Sequence, residues 1–183
     1  MSPYSSYELG YEDVSFTSSP NQDADKACAG FVEQYNAFGI LTNDTDFLIH
    51  QFSPDVAIFS IRHLDMENLN TKVYDKQKLA DFLGLRMNQL PLFATLKGND
   101  LIHFKDLSDF HRSLMNRPRG FIDAMDVIPK LAQFIKSYDM QPEQLAMKVF
   151  NDRRKSKIIQ ESLDSYRLDD EDIKNPLGNL GKF

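Results

Sequence analysis

One cysteine, Cys28, is all the thiol the chain has, so no internal disulfide framework holds it together, and such sparse use suits a reducing compartment. No run of about eighteen apolar residues is present, the least that a membrane-spanning helix needs. The polar, Tyr- and Ser-rich opening, residues 1–19, lacks the charged-then-apolar order of a secretory signal. These absences predict an intracellular protein, nuclear or cytoplasmic, with no membrane partner. Positive charge is not in excess either. The net charge is −6, so no global basic field advertises nucleic-acid binding. The four histidines, His50, His63, His103 and His111, show neither H-x-x-x-H nor His/Cys spacing for zinc, and read as surface or core residues. There is no G-x-S-x-G, and Cys28 falls within a helical pattern, so a Ser or Cys nucleophile has no support. A Walker A loop is absent, as are internal repeats and heptad runs.

What the chain does have is an ordinary globular composition, 42% hydrophobic and 26% charged over 183 residues, enough for one domain with a sizeable core. Its most informative stretch is residues 22–51. Two carboxylate pairs, Asp23/Asp25 and Asp44/Asp46, bracket a helical pattern made by Ala24, Ala27, Cys28, Phe31 and Tyr35. Phe38-Gly39-Ile40-Leu41 then reads as a short buried strand. That places Asp44 and Asp46 just past the carboxyl end of a strand, where open α/β sheets put their ligands. Asp23 and Asp25 begin the helix that leads into it. Four carboxylates gathered in one crevice repel one another unless a cation neutralises them, and an all-oxygen site suits Mg²⁺ or Mn²⁺. The plainer reading stays open beside this one: Asp44 and Asp46 as turn and cap residues, Asp23 and Asp25 as favourable charge at a helix amino terminus.

Residues 1–12 form a lead-in, and 13–17 alternate like a strand. After Pro54, Val56-Ala57-Ile58-Phe59 reads as a second buried strand and 62–70 as a loop. Residues 71–74 read as an edge strand. Asp75 caps a helix with Leu79, Phe82 and Leu83 on one face and Gly84 at its end. Residues 90–96 form an apolar helix with Pro91 in its first turn, running into Gly98-Asn99-Asp100. Further on, Ile122, Met125, Ile128, Leu131, Phe134 and Ile135 make a helical stripe interrupted by Pro129. Leu145, Val149 and Phe150 mark another helix, and Ile158, Ile159, Leu163 and Tyr166 a short amphipathic segment. Between them lies a basic run containing Arg153, Arg154, Lys155 and Lys157. It reads as a solvated helix face or as a contact for phosphates. The acidic run 169–172 and the Asn/Gly/Pro-rich end read as a flexible tail. The expected division is lead-in 1–12, core 13–111, helical extension 112–167 and acidic tail 168–183.

Asp23-Ala24-Asp25, Asp44-Thr45-Asp46 and Gly98-Asn99-Asp100, in that order, resemble the internal region of the XPG/flap-endonuclease superfamily, a branch of the PIN-like nucleases. Asp25 and Asp44 stand nineteen positions apart (44 − 25), the family's spacing. The resemblance implies an α/β, PIN-like three-layer fold with a short parallel sheet, truncated at the amino terminus and followed by a helical carboxyl-terminal part. It also implies that Asp23, Asp25, Asp44, Asp46 and Asp100 are the catalytic and metal-binding residues, holding Mg²⁺ or Mn²⁺. The reaction would be phosphodiester hydrolysis by two divalent ions, with Arg153, Arg154, Lys155 and Lys157 positioning DNA or RNA without reading its sequence. The flap enzymes usually carry Glu in the first pair, one methylene longer than Asp.

Two departures redirect this expectation. The family's amino-terminal half of the core, with further strands and further metal-site aspartates, lies outside the chain, so the expectation is either a protein partner that completes the core or a chain that is a piece of a longer nuclease. The glycine-rich helix-hairpin-helix is also replaced, by LPLFATLKGNDLI…DLSDFH. That pattern resembles more closely the Asteroid proteins and the constitutive coactivators of PPAR-gamma, whose branch keeps the nuclease-like fold and includes RNA-binding and signalling scaffolds. The resemblance runs over roughly residues 14–150. It leaves two functions open: a metal-dependent nuclease, or a non-catalytic nucleic-acid-binding or signalling scaffold.

Overall fold

The computed structural model describes residues 24–117, 120–138 and 141–176. Asp23, the expected strand at 13–17 and the last residues, 177–183, lie outside the described residues. Helix α1 (Ala24–Gln34) buries Ala27, Ala29, Gly30 and Val32. A left-handed turn at Asn36 (φ 49°) feeds strand β1 (Gly39–Thr42). A short 3-10 turn at Asp46–Leu48 follows, then strands β2 (Ala57–Ser60) and β3 (Val73–Tyr74). β1 and β2 pair in parallel, Ile40 opposite Ile58. β3 returns antiparallel, Tyr74 opposite Ile58, so the sheet is mixed and not the parallel one expected. The cause is the connection. Residues 61–72 hold a 3-10 turn and an Asp65–Asn70 bridge, so the chain folds back on itself and re-enters the sheet in the opposite direction, as a hairpin-like connection does. Val32, Ile40, Phe47 and Ile58 form the small core against this sheet.

A larger core belongs to the helices. α2 (Lys76–Leu83) starts where the Asp75 carboxylate accepts the Lys78 N–H at 3.0 Å, and ends at Gly84, φ 63°. Ala80 and Leu83 turn inward, and Phe82, expected on the buried face, is 83% exposed. α3 (Leu90–Lys97) carries Pro91 in its first turn, where the missing N–H breaks no helix bond. Then come α4 (Ser108–Met115), α5 (Ala124–Lys136), α6 (Pro142–Phe150) and α7 (Ser156–Asp164). Pro129 sits inside α5 without ending it. Leu90, Leu96, Leu107, Leu131, Ile135, Leu145 and Ile159 are each exposed by 2% or less, and burying such a side chain is worth about 2 kcal/mol. The division expected at residue 111 passes through this core, because α4 spans it and contributes both Phe110 and His111.

The acidic tail expected at 168–183 is corrected over its first part. Residues Asp170–Lys174 form helix α8. The Asp169 carboxylate accepts the N–H groups of Glu171 and Asp172 at 2.9 and 2.8 Å, and Asp172 accepts that of Asp169 at 2.9 Å. The acids satisfy a helix amino terminus, where negative charge is favourable. α8 then docks on α1. Lys26 pairs with Asp172 at 2.8 Å, and Gln34 donates to the Lys174 carbonyl at 3.2 Å. The approach is close enough that a Cβ on Gly30 would stand 2.3 Å from the Asp172 carbonyl oxygen.

Candidate functional site

The turn after α3 is held from several sides. Gly98 has φ 111°, and a Cβ there would lie 2.8 Å from the Phe104 nitrogen, so only glycine fits. Asn99 accepts the N–H groups of Leu101 and Ile102 through Oδ1 at 3.1 and 2.9 Å. Its Nδ2 donates to the Ser162 hydroxyl at 2.8 Å and to the Tyr166 hydroxyl at 3.1 Å. Ser162 also shares a buried 2.7 Å bond with Thr95. Tyr166 continues the joint toward the sheet: its ring meets His50 edge-on at 5.5 Å, and its carbonyl accepts the Gln51 N–H at 2.7 Å.

This joint brings two of the expected acids together. Asp46, from the 3-10 turn, and Asp100, from the α3 turn, line one cavity of about 450 Å³ with Lys97, Asn99 and Tyr166. Asp44 does not line it. Its Oδ1 accepts the Asp46 N–H at 2.9 Å, and its own N–H donates to Thr42 Oγ1 at 2.9 Å, so it shapes the turn and is otherwise exposed. Asp25 stands half-buried in the first turn of α1. Burial, and then the Asp25 charge, push the Cys28 thiol above its ordinary value, which keeps Cys28 a protonated, unreactive side chain at neutral pH. Lys26 is engaged by Asp172.

Among the described residues no three His, Cys, Asp or Glu side chains gather in a metal-holding group. Asp46 and Asp100 bring carboxylates to one cavity, the kind of oxygen donor that a hydrated Mg²⁺ would take. Of the five acids that the resemblance implies, Asp23 lies outside the described residues, and Asp46 and Asp100 line this cavity with Lys97 beside them.

The basic run forms a 3-10 turn, Arg153–Lys155, leading into α7. Arg154 binds both Asp152 oxygens, Nε at 3.0 Å and Nη2 at 3.1 Å, and holds that carboxyl below its ordinary range. Lys155 lies over the Phe150 ring at 4.5 Å, and Lys157 pairs with Glu161 at 3.5 Å. Arg154, Lys155 and Lys157 line one cavity of about 310 Å³ with Asp106, Phe150 and Ile158, and Arg153 is not among its lining residues. Two features had no signal in the sequence: the Asn99 joint, whose partners lie 63 and 67 residues away, and Lys76, which enters a third cavity between sheet and helices.

Comparison with known proteins bears on the helical part. Residues 83–170 match the family model of the FAM120A-like domain. The mouse (Mus musculus) constitutive coactivator of peroxisome proliferator-activated receptor gamma is 45% identical over 80 residues, covering 44% of this chain and 10% of that protein. The Homo sapiens protein of the same name is 44% identical over 81 residues, 44% of this chain and 9% of that protein. The Homo sapiens constitutive coactivator of PPAR-gamma-like protein 1 is 29% identical over 98 residues, 51% of this chain and 8% of that protein. The chain thus spans about a tenth of the length of these relatives. No solved structure matches. The matched stretch begins at the end of α2 and closes at the start of α8, and it contains Asp100 but none of the four earlier acids. The family similarity of this chain is therefore to the FAM120A-like domain, and its helical part carries it.

Proposed function

We propose that the chain is a non-catalytic binding module of coactivator type, nuclear or cytoplasmic, whose helical part engages a protein partner. One observation carries this reading. Four of the five candidate acids, Asp23, Asp25, Asp44 and Asp46, precede residue 83, whereas the similarity to the coactivators falls on residues 83–170. The stretch similar to those relatives is, in this chain, the helical part and its surface. Within that surface Phe121 is 90% exposed and Met125, on the first turn of α5, 70% exposed. An aromatic and a methionine so presented supply the apolar anchors on which protein interfaces depend. Peroxisome proliferator-activated receptor gamma, the partner in the relatives' names, is the first candidate. Calorimetric titration of the full chain with the purified receptor tests this: saturable binding supports the reading, and no binding at about a hundred micromolar removes it.

A second reading rests on the cavity shared by Asp46 and Asp100. A PIN-like ancestry agrees with the parallel β1–β2 pair and with Asp44 and Asp46 past its carboxyl end. On this reading the chain cleaves labelled flap, single-stranded DNA or RNA with Mn²⁺, and loses that activity in an Asp46→Asn/Asp100→Asn variant. Retained cleavage in the variant, or none in the parent, counts against it.

A further inference from the structure

Between the sheet and the helical core lies a cavity of about 460 Å³ that none of the candidate acids lines. Most of its wall is apolar, from Leu48, Phe52, Leu90, Leu168 and Ile173. Lys76, the first residue of α2, reaches into it. Its Nζ stands 3.2 Å from the centroid of the Phe52 ring and donates to the His50 carbonyl. No carboxylate among the described residues lies within ion-pairing distance of this amine. Glu33, on α1, lines the same cavity, but its Oε1 accepts the Ser53 N–H. Burial pushes Lys76 from its ordinary 10.5 down to about 7, with the Glu33 charge acting the other way.

An ammonium group taken from water without a contacting anion is costly, and an anion brought to it relieves that cost. An apolar cavity of this size, with one cation that no carboxylate of the described residues contacts, is complementary to a small molecule with an apolar body and a negative head. We propose that this cavity binds a small amphiphilic carboxylic acid, its carboxylate paired with Lys76 and its apolar body against Phe52, Leu90 and Ile173. The bound acid joins α1, the 48–54 segment, α2, the start of α3 and the 168–173 segment, all of which contribute to the wall. Occupancy therefore raises the melting temperature as well as filling the cavity.

The experiment is a calorimetric titration of the full chain with octanoate and, in parallel, with octanol, which has the same apolar body and no charge. Octanoate is expected to bind about tenfold more tightly, the value of one charge-assisted contact. In Lys76→Met the preference disappears while octanol still binds. A second measurement needs no variant: octanoate should shield Lys76 from limiting acetic anhydride, read by peptide mass spectrometry, while the exposed lysines react as before. Equal affinity for acid and alcohol, absence of octanoate binding, an undiminished preference in a folded Lys76→Met, or an unshielded Lys76 overturns the proposal.

Discussion

Asn99 donates to the Ser162 hydroxyl across 2.8 Å, joining the turn after α3 to α7 over 63 residues of chain. The same side chain accepts two backbone N–H groups and reaches Tyr166, so Gly98-Asn99-Asp100 works as a structural joint. Asn99→Ala removes the bonds to the Ser162 and Tyr166 hydroxyls and takes the side-chain acceptor from the Leu101 and Ile102 N–H groups. It is expected to cost about 2–3 kcal/mol, read as a lower urea midpoint at unchanged slope. Asp100 is exposed, and Asp100→Asn should change stability by no more than about 0.5 kcal/mol. Equal effects of the two substitutions would remove the distinction between joint and neighbour.

α8 rests on α1 through the close approach at Gly30 and the Lys26–Asp172 pair. A side chain at residue 30 must push the Asp172 backbone away. Gly30→Val is therefore expected to release α8 at a cost of about 1–3 kcal/mol. Amide exchange at residues 170–174 should speed up while exchange in α5 stays slow. Unchanged protection in α8 would show that the contact does not hold it.

His111 and Lys76 make stability depend on pH from two sides. His111 is fully buried, with Nε2 bonded to the Leu96 carbonyl at 2.8 Å and no partner for Nδ1 among the described residues. Burial first, and Lys97 less so, lower it below its ordinary 6.5, against the Leu96 bond. As pH falls through about 6.5 the unfolded chain binds this proton first. The His111 contribution is thus complete above that pH and is lost as pH drops toward the folded value. Lys76 behaves alike at higher pH: lowered to about 7 when folded, it makes stability rise between about pH 7 and about pH 10.5. Denaturant titrations across both windows should show both slopes. His111→Gln should flatten the acid one and Lys76→Met the alkaline one. Slopes that persist in the variants belong to other groups.

Local chemistry was legible in the sequence where one or two neighbouring residues decide it. Asp75 and Gly84 marked both ends of α2, Pro91 the start of α3, and the Phe38–Leu41 run gave β1 to within one residue. Which side of a helix faces the core was less so. Phe82 and Met125 fit their helical stripes by spacing, yet both are exposed, because the neighbouring elements chose an adjacent face. The acidic run 169–172 reads as a solvated tail until Lys26 and Gly30, more than 130 residues earlier, are seen to receive it. The candidate site divides in the same way. Asp44 and Asp46 were placed past the end of β1 by pattern. Only the folded chain shows that Asp46 shares a cavity with Asp100 while Asp44 is used in the turn.

The most direct test compares receptor binding by the full chain, by Phe121→Ser/Met125→Ser and by Asp46→Asn/Asp100→Asn, in one calorimetric series at fixed salt. A protein-binding role of the helical surface requires that the parent and the acid-pair variant bind alike and that the apolar pair binds about tenfold more weakly, with all three melting at similar temperatures. Parent protein that fails to bind, or binding lost in the acid pair and kept in the apolar pair, would contradict it.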